Sequence, residues 1–152
     1  MRHAKLAFAL LGFAVTLVAA YPMAGTWKLN PAKSKYSPGP TPTSATVTYE
    51  ETADGVKRTG ETVLPDGSKT SFEYTAKYDG KDYPVTGSDV YDAIALKRVN
   101  DHTVESTLKK SGKVMTTARR VVSKDGKTMT LTITGTNAKG QKVKTIAVYE
   151  KQ

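Results

Sequence analysis

The chain has 152 residues, no cysteine, and 23 Lys and Arg against 14 Asp and Glu, a formal net charge of +9. Without cysteine there is no disulfide framework, no thiolate-ligated metal and no lipid-bearing cysteine after a leader. A surplus of cations suits an anionic partner, but the lysines sit at alternate positions as on a solvated outer face. Adjacent pairs such as Lys109-Lys110 and Arg119-Arg120 are the exception, and nucleic acid is not expected as a partner.

Residues 1–20 open with Met1-Arg2-His3-Ala4-Lys5, continue as an apolar run from Leu6 to Val18, and end in Ala19-Ala20. A basic start, a short apolar centre and small residues at the exit are the features of a secretory signal peptide, expected to be cut after Ala20. The run falls short of the roughly 20 apolar residues that span a bilayer. Cleavage would remove Arg2 and Lys5 and no acid, leaving +7 on residues 21–152, one domain without a membrane span, periplasmic or secreted and monomeric.

Gly25-Thr26-Trp27-Lys28-Leu29 holds the only Trp and begins the first expected strand. Residues 31–42, Pro-Ala-Lys-Ser-Lys-Tyr-Ser-Pro-Gly-Pro-Thr-Pro, cannot form more than a turn of helix, because proline lacks the N–H and clashes with the preceding turn. They read as an extended surface loop. Turn signals then recur at Asp54-Gly55, Asp66-Gly67, Asp79-Gly80, Asn100-Asp101, Ser111-Gly112, Asp125-Gly126 and Lys139-Gly140. The segments between them alternate apolar and polar as half-buried strands do. Met129, Leu131 and Ile133 against Thr128, Thr130, Thr132 and Thr134 is the cleanest case; 56–64 is polar on both faces and 91–99 apolar on both.

Ten strands are expected, over 24–30, 44–51, 56–64, 69–78, 81–85, 91–99, 102–110, 113–122, 127–135 and 141–150. Hairpins without a crossover helix build an up-and-down meander, and closure removes its edges. The fold class is therefore all-β, a closed antiparallel barrel, with an open sandwich as the rival. Residues 78–88 break the rhythm, with Pro84 interrupting a short strand at an irregular edge, at a gap between strands, or in a loop at the barrel mouth.

Catalytic machinery is not expected. Beyond the leader the only His is His102, a solvent-facing neighbour of a turn, so no His metal site or Ser-His-Asp arrangement can be assembled, and no metal or cofactor is expected. Glu50 and Glu51 are adjacent and point to opposite faces of a strand, wrong for shared acid–base work. Alternation places Tyr49, Phe72, Tyr74, Tyr78, Leu96, Leu108, Leu131 and Tyr149 inside the barrel. That lining suits a small hydrophobic or amphipathic ligand, since each Tyr offers an apolar face and a hydroxyl. It equally suits a barrel filled by its own side chains.

Gly25-Thr26-Trp27-Lys28-Leu29, together with Val148-Tyr149-Glu150-Lys151 at the other end, resembles the first and closing strands of the lipocalin and fatty-acid-binding-protein (calycin) group. The resemblance covers the two ends and the strand count, and implies a small exported bacterial barrel with Trp27 plugging one end where first and last strands meet. The two lid helices of fatty-acid-binding proteins are replaced by the proline-rich loop. Thr116-Thr117-Ala118-Arg119-Arg120 is similar to the strand that carries the family's inward Arg, the match falling on Arg120, although alternation alone leaves either face open to it. Tyr149 matches the Tyr of the family's closing Arg-x-Tyr, and Ala147 stands where the second Arg would be, so the two-Arg clamp is absent. The implied function is non-catalytic binding of an amphipathic ligand, with Arg120 and Tyr149 at its polar end. The alternative is an interaction module whose basic exterior holds an anionic envelope or extracellular polymer.

Overall fold

In the Asp-Gly turns the carboxylate accepts the N–H two residues on: Asp66 from Ser68 at 2.9 Å, Asp79 from Lys81 at 3.0 Å and Asp125 from Lys127 at 3.0 Å. That local bond reverses the chain, and the following glycine takes the left-handed conformation the reversal needs, φ 72° at Gly126. The computed structural model describes residues 21–152; the leader expected over 1–20 lies outside the described residues.

The strands are β1 Gly25–Leu29, β2 Lys35–Ser37, β3 Ser44–Glu51, β4 Gly55–Val63, β5 Lys69–Ser71, β6 Glu73–Lys77, β7 Asp82–Thr86, β8 Ala93–Asn100, β9 Thr103–Lys110, β10 Lys113–Val122, β11 Thr128–Thr136 and β12 Lys142–Lys151. Ten of them form a closed antiparallel barrel in the order β1-β3-β4-β6-β7-β8-β9-β10-β11-β12, and β12 returns to β1 through Trp27↔Lys151, Lys28↔Glu150 and Leu29↔Tyr149. The closure leaves no unpaired edge at the Trp27 end of the seam.

Three expectations are corrected. The proline-rich loop is not wholly irregular: Pro31–Lys33 makes one turn of 3-10 helix, and β2 then pairs with β12 through Lys144↔Ser37, Thr145↔Tyr36 and Ile146↔Lys35. A single strand over 69–78 is broken at Phe72 into β5 and β6, because the Phe72 carbonyl accepts from the Arg58 guanidinium instead of from a neighbouring strand. Pro84 does not interrupt β7. It pairs with Ala93, while the β6–β7 ladder is confined to Glu73↔Thr86 and Tyr74↔Val85. Of the places open to it, Pro84 occupies the gap between strands, where the β6–β7 ladder has ended and its missing N–H costs little.

Trp27 is fully buried, and its indole N–H donates to the Met23 carbonyl at 2.9 Å. Residues 21–24 thus cross the end of the barrel as a plug, with Tyr21 and Met23 buried in the core that contains Trp27, Val104, Val122 and Met129. We call this the sealed end. The opposite end, the mouth, carries the turns at 64–68, 87–92, 111–112 and 137–141. No helix among the described residues is long and apolar enough to cross a membrane.

Candidate functional site

Register fixes which side chains share the interior. Trp27 pairs with Val47, Val47 with Gly60, and Tyr49 with Arg58, which in turn pairs with Tyr74. On the other wall Val104 pairs with Arg120, Arg120 with Leu131, and Leu131 with Ala147. Since period-2 alternation admits no mixed face, Arg120 points inward with Val122, Ala118 and Thr116, and Arg119 points out to meet Glu105 at 2.6 Å. The structure brings all the expected lining residues onto or against the inner face. Tyr49, Tyr74, Leu96, Leu108 and Tyr149 are buried, and Phe72, Tyr78 and Leu131 pack half-buried against them.

Arg120 is 6% exposed and crosses the lumen from β10. Its guanidinium carbon lies 4.7 Å from the centre of the Tyr49 ring on the facing wall, and Nη1 is 3.8 Å from the Met23 thioether in the plug. Nε has no hydrogen-bond partner, and no described carboxylate forms an ion pair with the group. Burial works against its charge and the Tyr49 and Tyr74 side chains beside it favour the charged form; a guanidinium is basic enough to stay a cation there. Burial raises the pKa of Tyr149, with Tyr36 and Tyr49 adding to it, and leaves a neutral phenol that can donate.

Sequence reasoning missed Arg58. It lies between Tyr49 and Tyr74 in register, on a strand that is polar on both faces and so gave alternation nothing to choose by. Its side chain lies 4.7 Å over the Phe72 ring, and Nη1 donates to the Phe72 carbonyl. It turns mouthward along its own strand over Gly60, where a Cβ would come within 2.9 Å of the Thr46 carbonyl and 3.1 Å of the guanidinium. Tyr36 escapes sequence reasoning for a similar reason: its proline-rich surroundings read as loop, and only its pairing with Thr145 turns the ring inward. His102 is half-buried, with Nδ1 3.1 Å from the Val122 carbonyl, and not free in solvent.

A third inward arginine, Arg98, is accounted for at the sealed rim. It lies 3.9 Å and 4.3 Å from the Tyr21 and Tyr78 ring centres and pairs with Glu51 at 3.2 Å. Arg58 and Arg120 therefore remain as lumen cations without a described acidic partner, among the phenols of Tyr49 and Tyr74.

Three depressions of 180 to 300 Å³ lie over the outer wall or at the sealed rim, as with the 300 Å³ hollow between Glu105, Thr117, Arg119 and Thr134, and a fourth of 160 Å³ lies beside the short β6–β7 ladder, where Arg58 and Tyr74 line it with Lys57, Glu73 and Pro84. Inside, the floor is closed at Met23, Trp27 and Met129, while Arg58, Phe72, Tyr36, Leu131 and Ile133 keep partial exposure. Among the described residues no three His, Asp or Glu side chains converge as a metal site. Compared with models of known protein families and with curated proteins, the chain matches none.

Proposed function

We propose that the protein is an exported, non-catalytic binder of a small amphipathic acid held inside a calycin-like barrel. The observation that carries this reading is Arg120, a buried guanidinium with no acidic partner among the described residues. Leaving a charge unpaired in low dielectric is costly, and a folded domain gains no stability from keeping it. A ligand carboxylate would supply the missing charge through charge-assisted hydrogen bonds, and the neutral phenols nearby would add weaker ones. The apolar tail would lie against the partly exposed Phe72, Leu131 and Ile133.

Calorimetric titration with dodecanoate and with its methyl ester tests the reading. Arg120→Gln should weaken dodecanoate by roughly 10- to 100-fold, the worth of one hydrogen bond to a charged group, and leave the ester unchanged. Equal loss for both ligands would retire the role given to Arg120.

A further inference from the structure

The two unpaired lumen cations are aimed apart. The Arg120 guanidinium is held at the floor by the Tyr49 ring and the Met23 thioether of the plug. The Arg58 guanidinium is held higher, over the Phe72 ring and against the Phe72 carbonyl, in the space Gly60 leaves by lacking a side chain. A single small anion would need the two forks to converge, and their anchors draw them in opposite directions along the barrel. Arg58 is also only half-buried, against 6% exposure for Arg120, so the two cations differ in their access to water.

We infer that the ligand carries two acidic groups separated by an apolar spacer, one seated on Arg120 at the floor and the other on Arg58 toward the mouth. This rests on the acidic-ligand reading above and narrows it to elongated dianions such as α,ω-dicarboxylates. Phe72, whose ring carries Arg58 and which meets Tyr74 and Tyr91 edge to face at 5.8 Å and 6.3 Å, forms the wall beside the spacer. Tyr74, in register with Arg58, is close enough to feel both charges.

The test compares dodecanoate with α,ω-diacids of ten to sixteen carbons on the full-length folded protein. At least one diacid should bind about tenfold or more tightly than dodecanoate, as one added charge-assisted contact predicts. Arg58→Gln should bring the ratio of diacid to dodecanoate affinity down to about one, with an unchanged urea midpoint showing the barrel intact; Arg120→Gln should weaken both ligand types. Equal affinity for mono- and diacids across the series would overturn the inference, as would an Arg58→Gln loss that falls equally on both, the mark of one shared anion. If neither class binds, the acidic-ligand reading falls first and this one with it.

Discussion

Tyr74 shows how a single interior group couples binding chemistry to stability. Its hydroxyl is buried without a hydrogen-bond partner, and burial, partly opposed by the Arg120 charge, pushes its pKa up to about 12 from 10. Below pH 10 the phenol is neutral in both folded and unfolded chains and contributes no pH dependence. Between pH 10 and 12 the unfolded chain ionises and the folded one does not, so stability falls by about 1.4 kcal/mol per pH unit from this group. Tyr74→Phe should cost little at pH 7, because no bond is lost, and should flatten the alkaline limb by that amount. Urea midpoints measured from pH 7 to 11.5 check this; parallel profiles for variant and parent would refute it. The exposed turn carboxylates act in the other direction. Hydrogen bonds hold Asp66, Asp79 and Asp125 below their ordinary range, so what they contribute is lost as the pH falls.

The closing seam is a join made in two pieces. β1 meets β12 through three residue pairs and β2 through three more, and the intervening 3-10 turn leaves the ladder. Ser34 repairs the gap: its hydroxyl accepts the Val148 N–H at 2.9 Å and donates to the Asn30 carbonyl at 2.7 Å, while the Asn30 N–H reaches Val148 O at 2.8 Å. Ser34→Ala should destabilise the fold by about 1 kcal/mol, the low end of the cost of orphaning a backbone donor because Val148 is half-buried, with exchange protection lost first at Val148. Much of the element plan was legible, since turn dipeptides and alternation are local signals and register follows once one face is apolar. β2 and the break at Phe72 were not. Each depends on a partner far along the chain, β12 in one case and the Arg58 side chain in the other, and neither leaves a local mark. Arg120 sits between these cases. A strand alternating Thr, Ala and Arg against Met, Thr and Arg has no intrinsic inside, and pairing with Leu131 and Val104 gave it one.

At the scale of the molecule, a plugged, hydrogen-bonded barrel surrounds two cations that no described acid neutralises, while the acids of the chain serve turns, rim pairs and the outer wall. Trp27 and the 21–24 segment close the floor, and the partly exposed side chains above it mark where an apolar tail would lie. The lining was legible in the sequence because closed strands place alternate residues together; the second cation was not, because β4 offers no apolar face. Native mass spectrometry of the protein as purified tests the central claim most directly. The account predicts a non-covalent small organic acid that travels with the parent protein and is lost in Arg120→Gln. Bare protein in both cases, with no uptake of excess dodecanoate or dodecanedioate, would contradict it.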